Sequence, residues 1–98
     1  MKSWHTKEID TLYQAILSLK SEEECARFFE DVCTVKELMD MSQRLKAAQM
    51  LASGSNYIEI GKETGMSTAT ISRVNKCLEY GEGGYKMTIE RLAEESGK

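Results

Sequence analysis

Residues 56–78, NYIEIGKETGMSTATISRVNKCL, decide the fold of this chain. They read as two short helices hinged at a glycine, the layout of a helix-turn-helix. Asn56 is placed to cap the first helix, and Glu59, three residues on, to reach back and complete a capping box. Gly65 follows that helix where the chain must turn sharply, a position that favours a left-handed backbone. Ser67 then caps a second helix from Thr68 onward. Ile60, Met66, Ile71 and Val74 supply apolar contacts between the two, and Gly61 is expected to let their backbones approach closely. What remains outward on the second helix is small and polar: Thr68, Ala69, Ser72, Arg73 and Lys76. A face of that kind suits a DNA groove.

Working outward, helical periodicity continues in both directions. Ile9, Leu12, Tyr13, Ile16 and Leu17 fall on one face of a helix running from Glu8 to Lys20. Ser21 with Glu24 predicts a capping box for a second helix, whose apolar stripe is Cys25, Phe28, Phe29 and Val32. Thr34 with Glu37 predicts another box, opening a long helix that closes near Gly54 and carries Leu38, Met41, Leu45, Ala48 and Ala52 at helical spacing. Gly81-Glu82-Gly83-Gly84 is read as a flexible joint before a last amphipathic helix, about Tyr85 to Glu95. Trp4 and His5 fall in an N-terminus expected to be mobile. There is no strand signal, repeat or low-complexity segment. The expectation is a single all-α, six-helix domain over residues 1–98, with dimer-core helices in 8–53, the helix-turn-helix in 56–80 and a final helix in 85–95.

Composition fits that class. The 98 residues contain no proline and few aromatics, and a chain this short gains only modest stability from a single core. No apolar run approaches a membrane span and no leader pattern is visible, so the expected setting is a bacterial-type cytoplasm. Cys25, Cys33 and Cys77 lack any C-x-x-C pairing and His5 is the sole histidine, so no metal site is expected and the thiols are read as reduced. The six methionines are read as core gap-fillers. The net charge of −3 conceals an uneven distribution. Residues 1–42 carry five basic and nine acidic side chains, residues 43–78 five and two, and residues 79–98 three and five. The positive surplus therefore surrounds the helix-turn-helix, as double-stranded DNA would require.

With the long helix and the reading head both in view, the chain resembles the Trp repressor superfamily, in particular its YerC/YecD-like branch of small TrpR-like proteins. The residues that carry the likeness are Leu19-Lys20 with Glu22–Glu24, Phe28-Phe29, Cys33-Thr34, and Ser42-Gln43-Arg44-Leu45. Gly65-Met66-Ser67-Thr68-Ala69-Thr70-Ile71-Ser72-Arg73 follows, then Tyr80-Gly81 and Tyr85. The resemblance implies an intertwined homodimer and a transcriptional regulator, with repression the commoner sense. It also implies a possible effector pocket at Thr34, Arg44 and Arg73, matching positions that hold tryptophan in the family's tryptophan binders. Those binders carry a glycine where Val74 stands and a serine where Cys77 stands. A β-branched side chain intrudes where an indole needs room, and loss of the hydroxyl removes a hydrogen bond from a polar ligand head. L-tryptophan is accordingly not expected as corepressor, and any small-molecule effector is left open.

The docking expected from the motif is specific. Ser67, Thr68, Ala69, Ser72, Arg73 and Lys76 face DNA: Thr68, Ala69 and Ser72 towards base edges, Arg73 and Lys76 towards phosphate. Ser67 caps and can also present itself to phosphate. Lys46 and Lys62 are lesser phosphate candidates. Two heads in a dimer, with the N-terminal helices and the last helix at its interface, would read half-sites about 34 Å apart. The rival reading is a helical dimer whose helix-turn-helix binds a protein and no DNA. Nothing suggests an enzyme: no Ser/His/Asp or Cys/His pairing is visible. A redox sensor on Cys25 or Cys33 lacks a pairing motif.

Overall fold

The computed structural model describes residues 2–97. Among them all regular structure is helical: α1 Lys7–Leu17, α2 Glu22–Val32, α3 Val35–Ala52, α4 Tyr57–Thr64, α5 Thr68–Tyr80 and α6 Gly84–Ser96. Two compact units are distinguished, Met1–Leu38 and Met39–Lys98, and the division falls after the first turn of α3.

In the second unit the helix boundaries follow from side-chain chemistry. The Asn56 side chain accepts the Glu59 N–H at 2.9 Å, and Glu59 Oε1 accepts the Asn56 N–H at 3.0 Å, so the capping box is closed from both sides. Gly65 ends α4 at φ 74°, the left-handed region that glycine enters without strain. Ser67 Oγ accepts the Thr70 N–H at 3.2 Å and starts α5. The core gathers Ala47 and Ala48 of α3, Ile60 of α4, and Ile71 and Val74 of α5, with Met50, Leu51, Tyr57, Met66, Tyr85 and Ile89 packed around it. Ala47 and Ala48 are wholly buried on the α3 side of that core, and the fully buried Ile60 and Ile71 each contribute about 1.5–3 kcal/mol. α5 packs against both α4 and α6.

Glycines act differently from one another here. A Cβ on Gly61 would meet the Met66 carbonyl oxygen at 3.6 Å, an ordinary contact, so the expected close backbone approach is not what this glycine provides. Gly81 is the one that is needed. A Cβ there would fall 2.3 Å from the Cys77 carbonyl oxygen, while the Gly81 N–H donates to that same oxygen at 2.9 Å.

The first unit departs from expectation in three places. α1 ends at Leu17 instead of reaching Lys20, because the Ser18 hydroxyl donates to the Ala15 carbonyl and the Leu19 N–H closes a tighter bond to Ile16. Ser21 caps α2 through the Glu24 N–H, but Glu24 Oε1 reaches past Ser21 to the Lys20 N–H at 2.9 Å, so that box is not reciprocal. The N-terminal segment is also locally packed. Trp4 stacks on His5 with ring centroids 5.7 Å apart, and His5 Nε2 lies 2.6 Å from Asp10 Oδ1. The Thr34–Glu37 box does close, at 2.8 and 3.1 Å. The Thr34 backbone N–H, contributing most, and the Thr34 hydroxyl, next, hold the Glu37 carboxyl below its ordinary range.

Candidate nucleic-acid interface and adjoining cleft

α5 sorts its side chains onto three faces. Ile71, Val74 and Leu78 point into the core. Thr68, Ala69 and Lys76 are exposed and Ser72 half-buried, and helical spacing puts these four on one outward strip. Thr70, Val74 and Cys77 form a third strip lining a cleft of about 300 Å³, completed by Arg44 from α3, Arg73 from α5 and Tyr85 from α6. By the same spacing Arg73 stands on the border between the outward strip and the cleft.

Electrostatically the two surfaces belong together. Arg44 and Arg73 are exposed, and neither has an ion-pair partner among the described residues. Lys46 differs: its Nζ is 3.4 Å from Glu63, so one of the lesser phosphate candidates is engaged with α4. Such an exposed pair adds only about 0–1 kcal/mol. At the start of α5 Ser67 Oγ is committed to the cap and lies 3.0 Å from Thr70 Oγ1. The N–H groups of Thr68 and Ala69 are left without intrahelical acceptors, as at any helix start.

All the residues lining this cleft lie in the second unit. The structure thus brings Arg44 and Arg73 into one site. Thr34 stands in the first unit, where its hydroxyl caps α3. Thr70 and Tyr85 were not singled out for this cleft from sequence. Thr70 was findable, one turn before Arg73 and Val74 on the same helix. Tyr85 was not, since it enters only because α6 packs back on α5 beyond Gly81 and Gly83.

Both the helix order and the reading head match known proteins. The family model described as Trp repressor protein matches residues 7–93. The chain belongs to the Trp repressor family. Within it the chain lies with the YerC-like branch: it is 53% identical over 88 residues to YerC, an uncharacterized protein of Bacillus subtilis (strain 168), covering 90% of this chain and 85% of that one. Among solved structures, a TrpR-like protein from Eubacterium eligens ATCC 27750 superposes with a TM-score of 0.87 at 51% identity, over 90% of this chain and 91% of that one. A Trp-repressor-type protein from Staphylococcus aureus gives 0.87 at 45% identity, over 91% and 89%. The Trp repressor family is regulatory and non-enzymatic, and its general chemistry is DNA binding in transcription. No helix among the described residues is long and apolar enough to cross a membrane.

Proposed function

We propose that this Trp repressor family member is a cytoplasmic, sequence-specific transcription regulator that binds a palindromic operator as a homodimer, in the repressing sense. The observation that supports it best is the outward strip of α5. Thr68, Ala69, Ser72 and Lys76 are small or flexible, project from a firmly capped helix, and are flanked by the unpaired Arg73. The first turn of α5 enters the major groove. Thr68, Ala69 and Ser72 meet base edges, while Ser67, Arg73 and Lys76 meet phosphate.

Pairing of two chains is supported by the first unit. No residue of α1 or α2 is buried, and Leu17 and Val32 are 83% and 56% exposed. Burial in a second copy removes that apolar surface from water. The cleft beside α5 does not suit tryptophan, because the branched side chain of Val74 forms part of its wall and Cys77 offers no good hydroxyl partner.

The test is fluorescence anisotropy on operator fragments selected from a random pool, read at two salt concentrations. Replacing Arg73 or Lys76 by Ala is expected to weaken all sequences alike and to lower the salt slope by about one per phosphate contact. Thr68→Ala is expected to change preference at one base position by about 1–3 kcal/mol. Unchanged affinity and slope in all three variants overturns the docking. A flat salt response in the wild type favours a protein-binding role instead.

A further inference from the structure

Two unpaired guanidinium groups and a thiol open onto the same cleft. Cys77 is exposed, and it lines the space with Arg44, Arg73, Thr70 and Tyr85. The other two cysteines have the opposite surroundings. Cys25 and Cys33 are half-buried, at and just beyond α2, which carries Glu22, Glu23, Glu24, Glu30 and Asp31 with Arg27 as its one basic residue. A reagent that is both anionic and thiol-reactive is therefore drawn to Cys77 and repelled from Cys25 and Cys33.

We propose that the cleft is a modification site, in which Cys77 captures a carboxylate-bearing low-molecular-weight thiol as a mixed disulfide while Arg44 and Arg73 hold its carboxylates. The co-reactant is the corresponding small anionic disulfide. The Cys77 sulfur attacks one of its sulfur atoms; the bond from Cys77 Sγ to that sulfur forms and the original S–S bond breaks. The second half leaves as a thiolate and takes up the proton that Cys77 gave up. Cys77 is oxidised, the departing half is reduced, and no other oxidant is required. At about 300 Å³ the cleft stands at the small end of ligand pockets, suited to an amino-acid or short-peptide thiol.

A consequence for regulation rests on the DNA-binding reading. The adduct places carboxylates beside the outward strip and occupies Arg73, a phosphate contact in that reading, so it weakens DNA binding; reduction restores it. The capture itself does not depend on that reading.

The experiment treats reduced, full-length protein with oxidised glutathione, which is anionic, or with cystamine, which is cationic, and follows each cysteine by peptide mass spectrometry. Oxidised glutathione is expected to modify Cys77 at least about tenfold faster than Cys25 or Cys33, the scale of electrostatic steering. Cystamine is expected to lose that preference, and roughly 1 M salt to flatten the difference. Arg44→Ala with Arg73→Ala is expected to slow Cys77 towards the other two, and lysine at both positions to restore the rate, with helicity checked by circular dichroism. Equal glutathione rates at all three cysteines, or a Cys77 rate indifferent to reagent charge, overturns the proposal; the wild-type comparison decides even if the double variant fails to fold. DNA affinity is then read on the adduct, expected at least about tenfold weaker and reversed by dithiothreitol, with Cys77→Ser insensitive. An adduct on protein that never bound DNA refutes the DNA-binding reading alone; an adduct that leaves affinity unchanged refutes the regulatory half alone.

Discussion

The two units of this chain use similar helices to opposite ends. Met39–Lys98 builds a core of its own from Ala47, Ala48, Ile60, Ile71 and Val74. In α1 and α2 of Met1–Leu38 apolar stripes of comparable length leave no residue buried. The difference is not one of hydrophobicity. It lies in what covers the apolar face: in the second unit α4 and α6 pack on α5, whereas in the first Leu17 and Val32 face solvent. A reading head must keep its shape alone, and a pairing surface must stay available to a partner. The proposed function needs both properties in one chain.

The sharpest way to break this contrast is a pair of substitutions. Ile60→Ala removes a fully buried side chain from the second unit and is expected to cost about 2–5 kcal/mol. It should lower the unfolding midpoint at every protein concentration. Leu17→Asp alters a side chain that is 83% exposed in the single chain. On a free surface it would change stability by less than about 0.5 kcal/mol. The proposed pairing instead predicts a loss of several-fold or more in dimer affinity, seen by sedimentation and as a midpoint that depends on protein concentration. If Leu17→Asp is silent and the wild type sediments as a monomer, the first unit is not a pairing surface.

A finer contrast lies within the second unit. Gly81→Ala forces a Cβ against the Cys77 carbonyl, which is backbone and cannot rotate away, so it is expected to destabilise by about 1–3 kcal/mol. Gly61→Ala places its Cβ in open van der Waals contact inside α4 and should stabilise by about 0.5–1 kcal/mol through helix propensity. Denaturant midpoints of the two variants moving in the same direction would show that α4 and α5 pack differently from this description.

These glycines also mark how far the residues alone could be read. Most local cap signals were legible: Asn56 with Glu59, Ser67, Thr34 with Glu37 and the left-handed Gly65 all act within four residues, while Ser21 caps α2 but Glu24 closes on Lys20 instead. The long third helix was legible too, but Ala47 rather than Ala52 reaches the core, because a stripe drawn by periodicity does not say which of its edges a neighbour covers. α1 stops short of Lys20 because the Ser18 hydroxyl competes for the last carbonyls, although apolar Leu19 follows it. Of the cleft, Arg44 and Arg73 were named on resemblance. Tyr85 could not be, for its place depends on a chain reversal through Gly83 at φ 85°.

The smallest expected effect concerns pH and belongs to the first unit. Glu37 has its carboxyl held low by the Thr34 N–H first and the Thr34 hydroxyl second. A carboxyl depressed in the folded state contributes stability that is present above its unfolded pKa. That contribution is lost as pH falls through the depressed folded value. Glu37 is fully exposed, so the effect is small and salt-sensitive. Glu37→Gln keeps an oxygen acceptor for the Thr34 N–H but removes the charge. Thermal midpoints of wild type and variant are therefore expected to differ slightly at neutral pH and to converge as pH drops below the usual carboxylate range. Parallel curves down to that limit would show that the cap works through its geometry and not its charge. The end of α3 that belongs to the first unit would then be as insensitive to acid as the core of the second.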